Sequence, residues 1–282
     1  MDAAVKKVRV PDFAAMKARG ERITMLTAYD YTMAKILDKA GVDALLVGDS
    51  LGNVQLGYDN TLPVTLEDMI HHTQAVSRAC KRALVVADMP FLSYGVDINA
   101  AVYNAGRLIK EGGADAVKIE GAGSLITQAI ARMVEIGIPV VGHLGLTPQS
   151  IHRMGGYRVQ AKTPEGVEKL LADAAQLQEA GIFALTLEGI PAQPAAQVTA
   201  SLRIPTIGIG AGAACDGQVL VCYDALGMVD DLHPKFVKQF GQIGQAITEA
   251  VQAFCREVKD GTFPGPEHTY GEYVSPAKSD HS

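Results

Sequence analysis

Short apolar runs recur along the chain, and five of them leave at a single acidic side chain. Residues 23–29 run into Asp30, 44–48 into Asp49, 83–87 into Asp88, 116–119 into Glu120 and 183–187 into Glu188. A buried carboxylate is costly unless something pairs with it. Several at the same end of strand-like segments therefore imply a shared cationic partner.

Strands are predicted over 23–29, 44–49, 83–88, 116–120, 138–143, 183–188, 204–209 and 218–223. Most are apolar throughout rather than alternating, as parallel strands covered on both faces are. Helical periodicity predicts 31–40, 66–78, 98–110, 124–135 and 163–180, and Gly41, Gly112, Gly137 and Gly181 mark stops. Thr65 precedes Glu67 and Asp68, which suit the positive end of a helix dipole. Thr163-Pro164-Glu165 reads as a cap with proline in the first turn. Eight strand candidates with helices between most of them match the count and length of a (β/α)8 TIM barrel. A doubly wound open sheet is the alternative, but no G-x-G-x-x-G follows the first strand. In a barrel the acidic exits would also converge on one mouth. The expected organisation is a single barrel over 1–262, with 10–19 as an N-terminal capping helix at the far end. Residues 236–258 form a final long helix in this reading, and 263–282 a loose C-terminal tail rich in Pro, Gly, Ser and His.

Composition narrows the partners. A formal net charge of −6 without a basic stretch argues against nucleic acid. No apolar run approaches the roughly 18–20 residues of a membrane helix, and the first ten residues lack the apolar core of a secretion signal. Cys80, Cys215, Cys222 and Cys255 show no C-x-x-C spacing, so the expectation is a reduced cytoplasmic protein without structural zinc.

Asp49, Asp88 and Glu120 are the candidate metal site. Magnesium takes oxygen ligands, uses one or two protein carboxylates and keeps waters for substrate to displace. A single acidic strand end is more often a helix cap or a partner of Lys118, but three neighbours at one mouth favour the metal. Zinc is disfavoured because no His or Cys accompanies these acids. Asp30 is read as structural. Glu188, farther along the chain, is either a general base or a buried acid paired with a cation. Lys118 is a charge inside an apolar strand, two residues before Glu120 and on the same face. A structural ion pair and a cation for a substrate carboxylate are both open. His143 ends the fifth strand, either as a structural hydrogen-bonded group or as an outer partner of the metal's ligands. Residues 144–161 form the longest loop candidate, either a lid hinged near Gly155-Gly156 or a plain surface loop. The glycine-rich run 207–212 allows anion binding, though close packing explains it better.

Several segments together resemble the ketopantoate hydroxymethyltransferase family. They are Val47-Gly48-Asp49-Ser50-Leu51-Gly52, Thr61-Leu62-Pro63-Val64-Thr65, Ala87-Asp88-Met89-Pro90-Phe91 and Val117-Lys118-Ile119-Glu120-Gly121. The long run Gly142-His143-Leu144-Gly145-Leu146-Thr147-Pro148-Gln149-Ser150 follows, then Gly155-Gly156-Tyr157 and Ile207-Gly208-Ile209-Gly210-Ala211-Gly212. The likeness spans residues 24–264 and implies a (β/α)8 barrel of the phosphoenolpyruvate/pyruvate-binding type.

The resemblance also implies roles. Asp49 and Asp88 would bind Mg2+ with Glu120 beside them. Asp49, Ser50, Asp88 and Lys118 would hold 3-methyl-2-oxobutanoate, and Glu188 would accept its C3 proton. The co-substrate would be 5,10-methylenetetrahydrofolate, the product 2-dehydropantoate, and the assembly a large homo-oligomer, a decamer. Three places depart from the pattern: Gly189 where a bulkier residue is expected, the loop after Gly156, and the tail from Tyr270. A magnesium-dependent carbon–carbon lyase or mutase acting on a related 2-oxo acid is the rival enzyme. It would be expected to carry a nucleophile or acid, often a cysteine, on a mobile loop. A barrel that binds keto acid or folate without turnover is the non-enzyme rival.

Overall fold

The computed structural model describes residues 6–229 and 234–271. The part of the expected tail beyond residue 271 lies outside the described residues. After α1 (Val10–Arg19) the chain alternates β1 (Ile23–Thr27), α2 (Tyr31–Ala40), β2 (Ala44–Val47), the short α3 (Leu51–Val54), α4 (Leu66–Ala79) and β3 (Leu84–Asp88). Next come α5 (Ile98–Lys110), β4 (Ala116–Glu120), α6 (Ser124–Glu135), β5 (Val140–Gly145), a 3-10 turn (Pro148–Ser150) and α7 (Ile151–Met154). The remainder is α8 (Pro164–Glu179), β6 (Ala184–Glu188), α9 (Ala192–Ser201), β7 (Thr206–Ile209), β8 (Gly217–Leu220), α10 (Cys222–Ala225) and α11 (Ile243–Asp260).

All eight strands pair in parallel with their sequence neighbours, and β8 returns to β1 to close the barrel. The predicted fold class is the observed one. Local signals set the helix ends: Asp30 accepts from Met33 N and starts α2, and Thr65 with Asp68 forms a capping box on α4. Asp30 is thus a cap, as expected.

The barrel interior is layered by chemistry. Inward positions near the strand starts are apolar: Ile23, Met25, Ala44, Leu46, Leu84, Val86, Ala116, Val141, Ala184, Ile207 and Val219 form one buried cluster. Phe13 and Met16 of α1 join that cluster and close the bottom. Two residues further along the same inward rows, the side chains turn polar: Thr27, Asp88, Lys118, His143 and Thr186. Period-two alternation therefore sends the polar ends of these five strands to one mouth.

Several segments differ from expectation: β1 ends at Thr27 rather than 29, β2 ends at Val47 rather than 49, and β7 starts at Thr206 rather than 204. β5 starts at Val140 and runs to Gly145, two residues later than predicted at both ends. Pro139 has no N–H to give a ladder, and pairing with β6 extends to Gly145 opposite Glu188. β8 ends at Leu220 because Cys222 N donates to Thr27 Oγ1 and the chain turns into α10. The final helix begins at Ile243, not 236, because Phe240 N and Ile243 N donate to Ala225 O and Leu226 O instead of to a helical turn. α11 buries none of its residues, and Ile243, Ile247, Val251, Phe254 and Val258 make one exposed apolar stripe.

Candidate active site

Backbone register builds the site. Asp88 on β3 sits opposite Lys118 on β4, Glu120 opposite His143 on β5, and Gly145 opposite Glu188 on β6. Gly145 is required there: at φ +96°, a Cβ would lie 2.2 Å from Glu188 O. Asp49 and Ser50 follow β2 in the turn into α3. Thr27, Asp49, Ser50, Asp88, Lys118, Glu120, His143, Thr186 and Glu188 all line one cavity of about 110 Å³ at the mouth. Every site residue predicted from the sequence is therefore brought to this cavity.

Lys118 Nζ lies 2.9 Å from Asp88 Oδ1 and 3.2 Å from His143 Nδ1. Asp88 Oδ2 accepts from Asp49 N at 3.1 Å. His143 Nδ1 is 3.5 Å from Glu120 Oε1, and its Nε2 is 3.2 Å from Glu188 Oε2. Glu188, one of the two sequence alternatives for which was a lysine or arginine partner, faces a histidine instead. Ser50 Oγ shares a 2.9 Å hydrogen bond with the fully buried Tyr29 hydroxyl, which fixes the serine's place in the turn.

Charge in this enclosed mouth is unbalanced toward the acids. Burial, then Asp88 and Glu120, push the Asp49 carboxyl up to about 8 against the pull of Lys118. Burial raises Asp88 too, although Lys118 opposes it. Burial disfavours the Lys118 ammonium, but Asp88, Glu120 and Asp49 outweigh it and hold the proton above the usual lysine range. Burial and Lys118 act against a charged His143, while Glu120 and Glu188 prevail and take it up to about 9. The Lys118 contact makes Nδ1 the acceptor when the ring is neutral, and both nitrogens carry a proton when it is charged. Nε2 approaches Glu188 Oε2 without making a hydrogen bond, so the contact is one of charge.

These residues fit a hard divalent cation. The carboxylates are oxygen donors in excess of their cations, and buried Asp88 Oδ1 makes no hydrogen bond, its partner being the Lys118 charge alone. Among the described residues, though, no three or more His, Cys, Asp or Glu side chains form a ready-made metal cage. Asp49, Asp88 and Glu120 share a cavity without closing around one point.

Sequence reasoning assigned no role to two residues that the site depends on. Gln149 Nε2 donates to Asp49 Oδ2 at 2.8 Å and to Met89 O at 3.0 Å, while Gln149 N donates to Glu120 Oε2 at 3.1 Å. Tyr94 OH donates to Gln149 Oε1 at 2.6 Å and accepts from Glu120 N at 3.2 Å. The only signal for Gln149 was its place in the long motif after His143; nothing in the pattern marked Tyr94. Gly189, the departure beside Glu188, stands at φ +56°, and a Cβ there would crowd Leu146 Cβ at 3.1 Å, which accounts for glycine. Its carbonyl accepts from Gln160 N at 2.9 Å and so anchors the far end of loop 144–161 next to Glu188. In the run 207–212, Gly208 approaches Cys215 and Gly212 approaches Ala192, as close packing requires.

The chain was compared with known proteins. The profile of the ketopantoate hydroxymethyltransferase family matches residues 7–266. The 3-methyl-2-oxobutanoate hydroxymethyltransferase of Moorella thermoacetica is 57% identical over 264 residues, covering 94% of this chain and 98% of that one. That of Geotalea daltonii is 58% identical over 259 residues, covering 92% and 97%. Among solved structures, 2,3-dimethylmalate lyase, of the PEP mutase/isocitrate lyase superfamily, superposes with a TM-score of 0.59 at 19% identity, covering 95% and 91%. Phosphonopyruvate hydrolase in complex with oxalate and Mg++ gives a TM-score of 0.59 at 12% identity, covering 92% of each chain. Such distant structural likeness shows the barrel fold and carries no chemistry, whereas the sequence matches run nearly the full length. The chain belongs to the ketopantoate hydroxymethyltransferase family and is a hydroxymethyltransferase of pantothenate biosynthesis.

Proposed function

We propose that Glu188 removes the C3 proton of 3-methyl-2-oxobutanoate held at the acidic mouth, and that the resulting carbanion takes a one-carbon unit from 5,10-methylenetetrahydrofolate. The observation that carries this reading is a single cavity lined at once by Asp49, Ser50, Asp88, Lys118, Glu120 and Glu188. Asp49 and Asp88, with Glu120 beside them, would hold Mg2+. When bound, the ion supplies Lewis acidity for the negative charge that develops on the keto oxygen. Lys118 offers a buried ammonium to the substrate carboxylate, and Ser50 offers a hydroxyl already oriented by Tyr29. A charged His143 ring beside Glu188, with Nε2 3.2 Å from Oε2, attracts the carboxylate electrostatically and so helps to place it for proton removal. The C3 carbanion attacks the donor methylene carbon. One water is consumed overall, giving 2-dehydropantoate and tetrahydrofolate.

The unpartnered apolar stripe of α11 supports a homo-oligomer, in our reading a decamer. Cys80, Cys215, Cys222 and Cys255 are all unpaired thiols, which supports a cytoplasmic location. No helix among the described residues is long and apolar enough to cross a membrane. The domain reading is one barrel over 1–262, α1 included, followed by a C-terminal tail over 263–282.

The test is folate-dependent turnover of the keto acid with magnesium removed by chelation and then restored. The reading expects activity to be lost and recovered. Undiminished turnover in chelator, or keto acid cleavage without folate, contradicts it.

A further inference from the structure

The hydrogen bonds around Gln149 leave its amide a single orientation. Glu120 N can only donate, so the Tyr94 hydroxyl that accepts from it turns its proton to Gln149 Oε1. Met89 O can only accept, so Nε2 must be the amide end that faces it. The second Nε2 hydrogen then points at Asp49 Oδ2, at 2.8 Å. All the side chain's donors are used in this arrangement. Gln149 itself is buried, as are Asp49, Met89 and Glu120.

This one residue grips two of the acidic side chains, Asp49 in the turn after β2 and Glu120 at the end of β4. Its side chain occupies Asp49 Oδ2, and its backbone N–H occupies Glu120 Oε2. What remains of Asp49 is Oδ1, which has no hydrogen bond among the described residues, on a side chain that lines the cavity. Gln149 also belongs to the 3-10 turn that opens loop 144–161, and Ser150 N closes that turn on Thr147 O. The loop's base and the two carboxylates are therefore tied through one residue.

We infer that Gln149 is a positioning residue for the cation and keto acid, selecting by its Nε2–H and N–H which oxygens of Asp49 and Glu120 are held back and which remain for ligation. The inference rests on the metal reading of Asp49 and Asp88 proposed above. Outer partners of this kind typically set metal affinity by about 10–100-fold when removed. A neutral side chain suits the task. A carboxylate in its place would set another acid against Asp49 and the Met89 carbonyl.

The experiment titrates Mn2+ alone into the full-length protein and into Gln149→Met, Gln149→Glu, Tyr94→Phe and Asp49→Asn, following free Mn2+ by electron paramagnetic resonance. Melting temperatures are read in the same samples. Gln149→Met is expected to weaken Mn2+ by about 10–100-fold, with Gln149→Glu not restoring it, at a melting temperature close to wild type. Tyr94→Phe keeps the amide but frees its orientation, and it is expected to fall between wild type and Gln149→Met. It also serves if Gln149→Met does not fold. Steady-state kinetics should show a higher KM for keto acid, recovered in part at high metal, a split that simple loss of folded protein would not give. If Asp49→Asn loses Mn2+ while both Gln149→Met and Tyr94→Phe bind it within twofold of wild type, the inference is overturned and the metal reading stands. If wild type and Asp49→Asn bind Mn2+ alike, the metal reading falls and the inference with it.

Discussion

His143 and Glu188, on neighbouring strands, meet through Nε2 and Oε2 at 3.2 Å, while the other ring nitrogen lies 3.2 Å from Lys118 Nζ. The imidazole thus connects the cation of the mouth to the acid assigned as base. His143→Phe keeps a buried ring but removes both nitrogens. It is expected to lower solvent exchange of the keto acid C3 proton, by less than the roughly 10²–10⁴-fold that losing the base itself costs. Proton exchange followed by NMR in deuterated buffer checks this, and keto acid affinity should change far less than the exchange rate.

Asp88 holds Lys118 on one oxygen and the Asp49 backbone on the other. Asp88→Ala should lose magnesium-dependent binding of the keto acid, read by calorimetry with and without the ion. It should also destabilise the fold by about 3–5 kcal/mol, because a buried ammonium is left without its partner. Unchanged binding heats would remove Asp88 from the site.

The raised Asp49 carboxyl carries a pH signature. Its folded value of about 8 exceeds the ordinary aspartate value of 3.8, so the folded state holds the extra proton between the two. The associated stability is complete below the unfolded value and is lost as pH rises through the folded one. The metal-free protein should therefore lose stability as pH rises from about 4 to about 8. Asp49→Asn should flatten that slope. Thermal melts in chelator across the interval, wild type against variant, measure the difference.

How much of this was legible beforehand depended on charge and on register. A lone acid or lysine inside an apolar run stands out, so Asp49, Asp88, Lys118, Glu120 and Glu188 were visible, and the regular strand–helix alternation gave the barrel. Which of the acids pairs with Lys118 was not visible. Alternation places it on one face with Glu120, but the β3–β4 register sets it opposite Asp88, and register is a tertiary fact. Gln149 and Tyr94 are uncharged residues in loops, where no periodicity marks a side chain that reaches across to another strand. The start of α11 failed for a related reason. Phe236, Phe240, Ile243 and Ile247 keep a helical spacing, yet backbone bonds to Ala225 and Leu226 take the chain out of the helix before Ile243.

Along α11 the apolar stripe predicts association. Val251 is 54% exposed and Phe254 56% exposed in the single chain, so a charge there costs the monomer little. Val251→Glu should leave the secondary structure intact by circular dichroism and shift the protein to smaller species in light scattering. An unchanged mass would mean that α11 takes no part in assembly.

The base assignment is the centre of the account, and Glu188→Gln tests it most directly. The variant keeps the size of the side chain and a group for His143 to meet, but it cannot take a proton. Measured by NMR in deuterated buffer with magnesium and no folate, exchange of the keto acid C3 proton should fall by about 10²–10⁴-fold. Calorimetric binding of metal and keto acid should persist. Exchange at the wild-type rate in the folded variant would contradict the account.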